Sequence, residues 1–243
     1  MFVAALLLCQ GADHRLRTRR SARPRVLEIA DRHSIDIIRP KSRYRFPANA
    51  GAIVLLEVEG EPESMPMMME KIGTRCDDLD VLGATEPAER HAVWEARRLI
   101  SSSLKAAYRI KLNEDICVPR SRIVEMLSRV DRVAAETRVE CAVFGHAGDG
   151  NLHVNLLPND DPADPAVRTH VWHAARELFA HTIELGGALS GEHGVGLTKR
   201  GYMTMEQSEQ LLEWQRRWKA MWDPANLLNP GKRLPERRSA SSE

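Results

Sequence analysis

From about residue 50 the apolar positions fall into regular periods. Ala52-Ile-Val-Leu-Leu-Glu-Val-Glu59 is a short apolar run closed by Gly60, which predicts a strand. Glu63 to Cys76 predicts a helix with Met67, Met68 and Met69 as packing residues, and Asp80 to Gly83 a further strand. Strand, helix and strand in that span suit a split βαβ unit on a mostly antiparallel sheet. Thr85 ahead of Pro87 and Glu89 opens a helix running to about Leu104, which carries Trp94, Arg97 and Ser101. Arg109 to Val118 predicts a strand, closed by Pro119, and Ile123, Leu127, Val130 and Ala134 mark one face of the next helix. Asp164 as N-cap with Pro165 at the first helical position starts a helix that lasts until Gly186-Gly187. Thr204 and Gln207 read as the capping box of a last helix with Leu211, Trp214, Trp218 and Trp222 on one side, stopped by Asp223-Pro224. Helices alternate with short strands and no repeat is visible. The fold class is α+β.

The ends do not share this order. Residues 1–45 open on the apolar run Phe2 to Cys9, followed by a basic stretch of His14, Arg15, Arg17, Arg19, Arg20, Arg23 and Arg25 with little periodicity. They read as an irregular leader with a start placed inside a longer reading frame. The run is too short for a membrane span, which needs about 20 apolar residues. Residues 46–235 form the folded unit and 236–243 a polar, frayed tail. Composition adds exclusions. With 35 Lys+Arg against 34 Asp+Glu the net charge is +1, without the basic surplus of a dedicated nucleic-acid binder. A hydrophobic share of 43% with 28% charged residues suits a soluble globular protein. Cys9, Cys76, Cys117 and Cys141 stand too far apart for a zinc knuckle or a disulfide framework. Free thiols suit a reducing cytoplasm, so a cytoplasmic location is expected, with a peripheral place at the inner membrane as the alternative.

The densest chemistry lies between Cys141 and Pro158. Two strand-like runs flank Asp149-Gly150, a preferred two-residue type I′ turn. That turn would pair Gly148 with Asn151, Ala147 with Leu152 and His146 with His153. Directly opposed residues share a face, so the two imidazoles can share a metal ion, and Asn155 points the same way. Two histidines on a polar face can equally serve only their neighbours. A second cluster, Gly186-Gly-Ala-Leu-Ser-Gly-Glu192-His193-Gly-Val-Gly196, fails as a dinucleotide fingerprint because its spacing is wrong. As a loop it can bring Glu192 to the histidine pair as an oxygen ligand. Two histidines and a carboxylate leave positions open for a substrate, and His193 is left over as a proton acceptor. It can also be only a glycine-rich connection. Arg97 and Ser101 share a helix face, and with Lys111 on the following strand they can hold a carboxylate.

Gly145-His-Ala-Gly-Asp-Gly-Asn-Leu-His153, Ser190-Gly-Glu-His-Gly-Val-Gly196 and Leu228-Asn-Pro-Gly-Lys232 together resemble the C-terminal half of FAD-linked oxidases. These are vanillyl-alcohol-oxidase-like flavoenzymes, with D-lactate dehydrogenase, the glycolate oxidase D subunit and D-2-hydroxyglutarate dehydrogenase among them. The resemblance covers roughly residues 50–235 and leaves residues 1–45 out. It implies a substrate or cap domain, an antiparallel sheet backed by helices. It further implies a divalent metal, zinc or similar, on His146, His153 and Glu192, with His193 as base. Asn155 would contact substrate, Arg97, Ser101 and Lys111 would bind its carboxylate, and Asn229 and Lys232 would lie toward the cofactor. The FAD-binding domain that should precede this region is not recognisable here, so flavin is expected from a separate domain or subunit. Two further readings stay open: a non-catalytic remnant or binding module, and a metal-dependent hydrolase.

Overall fold

The computed structural model describes residues 2–9, 24–74, 80–158, 161 and 164–236. Seven strands make one sheet: β1 (Phe2–Cys9), β2 (Val26–Asp31), β3 (Ala52–Glu59), β4 (Asp80–Ala84), β5 (Leu112–Cys117), β6 (Glu140–His146) and β7 (Asn151–Leu157). Their order is β4-β1-β3-β2-β6-β7-β5, and each neighbouring pair is antiparallel. The helices are α1 (Arg32–Ile38), α2 (Met65–Gly73), α3 (Pro87–Ala107), α4 (Ile123–Thr137), α5 (Pro165–Glu184), α6 (Gly196–Lys199), α7 (Met203–Glu206) and α8 (Glu209–Trp222). None of the described helices is long and apolar enough to cross a membrane.

Helices cover both faces of the sheet, which is why β3 is buried along nearly its whole length. Val54, Leu56 and Val58 pack with residues of α2, α4 and α5, whereas Ile53 and Leu55 pack with α1 and α3. Burying alternate residues on opposite faces is what turns a half-polar strand into a continuous apolar run. In α4 the apolar face is Ile123, Met126, Leu127, Val130 and Val133. Asp164 caps α5 by accepting from Ala166 N at 2.8 Å, as the Asp-Pro pair predicts.

Several expectations need correction. Where the sequence suggested an irregular leader over residues 1–45, the described residues among them carry β1, β2 and α1, and β2 is a central strand. The alternation Leu27-Glu28-Ile29-Ala30 is the strand signal, masked by the arginines before it. Asp31 then ties the turn into the fold, accepting from Ser34 N at 2.8 Å and Val143 N at 2.7 Å. His14 to Arg23, Cys76 and residues 237–243 lie outside the described residues. Helix α8 starts later than predicted, with Ser208 as N-cap accepting from Leu211 N; Thr204 belongs to α7. Of the three methionines expected to pack from α2, Met67 is exposed while Met68 and Met69 pack against the core, and Met65 at the start of the helix is buried with them. The stripe Trp214, Trp218 and Trp222 exists but faces outward, at 54%, 57% and 75% exposure.

Candidate metal and substrate site

The site lies on the sheet face that α1 and α3 cover only in part. Strand pairing places Glu28 beside His146, His146 beside Asn151, and Asn151 beside Cys117. One row further in, Phe144, His153 and Asp115 stand side by side, followed by Ala142, Asn155 and Asn113. The hairpin therefore differs from the predicted two-residue turn. Ala147 to Gly150 form a four-residue loop, and His146 opposes Asn151 rather than His153. The loop is tied outward: Gly148 N donates to Leu27 O at 3.1 Å and Val118 N to Gly150 O at 3.0 Å. Gly150 has φ 83°, and a Cβ there would lie 2.0 Å from Val118 O. The register differs by two residues, an even number, so both histidines keep their face. They meet diagonally, with ring centroids 5.3 Å apart.

Three imidazoles converge on one carboxylate oxygen. Glu192 Oε1 lies 3.5 Å from His146 Nε2, 3.4 Å from His153 Nε2 and 3.7 Å from His193 Nε2. These separations are longer than ordinary N–H···O hydrogen bonds. They approach the edge of a tetrahedron whose metal–ligand bonds are about 2.0–2.1 Å, an edge of about 3.3 Å. The ligand atoms of His146, His153 and Glu192 all lie within 4.8 Å of one another. Burial and the neighbouring His146 lower the His153 pKa to about 4, so its nitrogens stay neutral and able to bind a cation at pH 7. His153 Nδ1 is buried without a partner. Two imidazoles and a carboxylate suit a borderline ion such as zinc, so the residues fit the metal that the resemblance implies. His193 stacks on His153, with ring centroids 5.2 Å apart and planes at 15°, and stays half exposed.

Asp115 holds the Glu-His loop in place. Its Oδ1 accepts from Asn151 Nδ2 at 2.6 Å; its Oδ2 accepts from Ser190 Oγ at 3.2 Å, Glu192 N at 2.9 Å and His193 N at 2.8 Å. Burial alone would raise the Asp115 pKa, but the hydrogen bonds from His193, Asn151 and Glu192 and the Lys199 charge outweigh it and bring the value to about 2. Asp115, His153 and His193 also form a possible ligand trio, yet the Asp115 oxygens are already occupied by these donors. Gly191 is needed where the loop crosses the sheet: a Cβ there would lie 1.6 Å from Asn151 Nδ2. Buried Lys199 closes the loop, donating to Asp115 O at 2.6 Å and Leu189 O at 2.7 Å, with Glu114 at 3.6 Å balancing its charge.

The Nε and Nη2 atoms of Arg97 reach Glu28 Oε2 at 2.9 and 2.7 Å, and its guanidinium lies 4.6 Å over the Phe144 ring. One edge of the fork expected to hold a substrate therefore already holds a protein carboxylate. Lys111 Nζ donates to Ser101 Oγ at 3.1 Å, and burial followed by repulsion from Lys105 lowers the Lys111 pKa. Asn155 is fully buried, its Nδ2 spent on Ala142 O and His153 O, while its Oδ1 is buried without a partner. Asn229 and Lys232 join each other in an exposed turn, Nζ to Oδ1 at 3.2 Å. Glu28 and Asp115 escaped the sequence reading. A carboxylate flanked by alternating apolar residues, as in Leu27-Glu28-Ile29, is the signal that could have marked Glu28.

The family model for FAD linked oxidases, C-terminal domain, matches residues 9–233. It begins inside the segment that the motifs left out. The chain is 37% identical over 212 residues to glycolate oxidase subunit GlcD of Bacillus subtilis, covering 86% of this chain and 45% of that protein. It is 30% identical over 212 residues to D-lactate dehydrogenase of Archaeoglobus fulgidus, with coverage of 86% and 45%. The chain thus spans less than half the length of these relatives. Among solved structures, 4-ethylphenol oxidase from Gulosibacter chungangensis superimposes with a TM-score of 0.67 at 14% identity, over 98% of this chain and 55% of that one. That likeness shows a shared fold.

Proposed function

Because the chain belongs to the family of FAD-linked oxidase C-terminal domains, we propose that it is the substrate-binding half of an FAD-dependent 2-hydroxy acid dehydrogenase or oxidase. Its substrate would be of the D-lactate, glycolate or D-2-hydroxyglutarate type. The observation that carries this reading is the convergence of three imidazole Nε2 atoms on Glu192 Oε1, on the sheet face that Arg97 borders through Glu28. A divalent ion, zinc in this reading, supplies Lewis-acid polarisation of the substrate 2-hydroxyl when held by His146, His153 and Glu192. Flavin, on an FAD-binding domain or subunit, supplies the acceptor for the C2 hydride.

The chain's own residues bind, orient and move a proton. Lys111, held by Ser101, offers a point charge to the substrate carboxylate, and Arg97 offers Nη1 beside it. Asn155 lies two residues beyond His153 on the same strand face, and its amide fixes the backbone at His153. His193 takes the 2-hydroxyl proton at Nε2, the atom it turns toward Glu192. Asn229 and Lys232 lie on the flavin side, and the assembled enzyme is cytoplasmic, with peripheral attachment at the inner membrane as the other possibility.

The test is reconstitution with the flavin domain of a relative, followed by dye reduction with D-lactate, glycolate and D-2-hydroxyglutarate in turn. At least one acid is expected to drive turnover at a rate that depends on added metal. A folded, flavin-loaded assembly that oxidises none of them would overturn the reading.

A further inference from the structure

The histidine–carboxylate cluster has a support that neither the motifs nor the ligand set include. Glu28 lies on central strand β2, and strand pairing sets it directly against His146. Its side chain is 9% exposed, and each oxygen has its own partner: Oε1 meets His146 Nδ1 at 2.6 Å, and Oε2 takes the Nε and Nη2 atoms of Arg97 at 2.9 and 2.7 Å. A carboxylate accepts and does not donate, so the 2.6 Å contact requires the proton on Nδ1. That leaves the Nε2 lone pair directed toward Glu192 and His153. Arg97, braced over Phe144, prevents Glu28 from turning away.

We propose that Glu28 is a positioning residue that fixes the orientation and tautomer of His146 for cation binding while also holding Arg97. The proposal rests on the metal reading given above. Outer carboxylates of this kind typically change metal affinity by about 10–100-fold when replaced. Glu28→Gln keeps the shape but places an amide donor against either the Nδ1 proton or the guanidinium, so one of the two contacts is lost.

Zinc affinity of the whole chain is measured by chelator competition for wild type, Glu28→Gln and His153→Ala. The tautomer of His146 is read by long-range ¹H–¹⁵N correlation on the metal-free wild type at alkaline pH. The expected result is an Nδ1-protonated His146, an affinity about 10–100-fold weaker in Glu28→Gln, and no tight binding in His153→Ala. If Glu28→Gln binds zinc as wild type does while His153→Ala does not, the Glu28 role falls and the metal site stands. If His153→Ala binds as tightly as wild type, the site itself is wrong and the Glu28 role falls with it. Should Glu28→Gln fail to fold, the wild-type spectrum decides alone: an Nε2-protonated His146 overturns the proposal.

Discussion

Replacing His193 with alanine in the reconstituted flavoenzyme is expected to lower the rate of flavin reduction by about 10²–10⁴, the usual cost of losing a general base. The geometry separates this residue from its neighbours. His146 is engaged by Glu28 through Nδ1 and His153 is buried in the sheet, whereas His193 stands half exposed on the open side, stacked on His153. Metal content should stay near the wild-type value, because His146, His153 and Glu192 are untouched. Substrate affinity should also hold, since Lys111 and Arg97 carry the carboxylate. Single-turnover stopped-flow on the flavin band checks both points, because it separates binding from chemistry. An undiminished rate would remove His193 as base. A loss of metal together with rate would make it a ligand.

Alanine at Asp115 is expected to cost about 3–5 kcal/mol of stability, since hydrogen bonds to a buried charged group contribute about 1.5–3 kcal/mol each and Asp115 accepts several. The Glu192 and His193 backbone N–H groups would lose their acceptor, and the 190–193 stretch of the loop would lose its anchor on β5. Thermal unfolding should drop by on the order of 10 °C, and zinc binding should weaken with it although Asp115 is not a ligand. The same residue gives an acid signature. With its pKa near 2 in the fold against 3.8 ordinarily, Asp115 contributes stability that is present above about pH 4 and is lost as pH falls toward 2. That contribution is about 2 kcal/mol at neutral pH. Denaturant titrations at pH 7 and pH 3 should therefore differ less in Asp115→Ala than in wild type. An unchanged unfolding temperature in the variant would show that Lys199, Glu206 and the Cys117–Ala188 backbone pair hold the loop without Asp115.

Local signals were legible where one element decides the outcome. The apolar run of β3, the Asp164-Pro165 cap of α5 and the face of α4 follow from periodicity and capping alone. What escaped depends on contacts between distant segments. The Asp149-Gly150 pair suggested a tight turn, but hydrogen bonds to Leu27 and Val118 open the loop and shift the register by two residues. His146, His153 and Glu192 still come together, because strand faces alternate with period two and a shift of two residues keeps each side chain on its face. Glu28 was hidden because arginines before β2 made its segment look irregular. Asp115 is one of two adjacent acids on β5, and only its placement against Asn151 and the Glu-His loop shows its work. The Arg97 fork was expected to meet a substrate carboxylate, and the carboxylate that it meets is Glu28 of this chain. The tryptophan stripe of α8 shows the same limit from the other side. Helical spacing puts Trp214, Trp218 and Trp222 together, and spacing cannot tell a buried face from an exposed one.

X-ray absorption at the zinc edge, on chain loaded with zinc and dialysed free of excess ion, tests the metal site most directly. The expected spectrum comes from close to one ion per chain, with two imidazole nitrogens and oxygen ligands at about 2.0–2.1 Å and no sulfur. His146→Ala should lose the ion. A folded chain that retains no zinc, or equal zinc content and an unchanged spectrum in His146→Ala, would contradict the assignment of His146, His153 and Glu192 as the metal ligands.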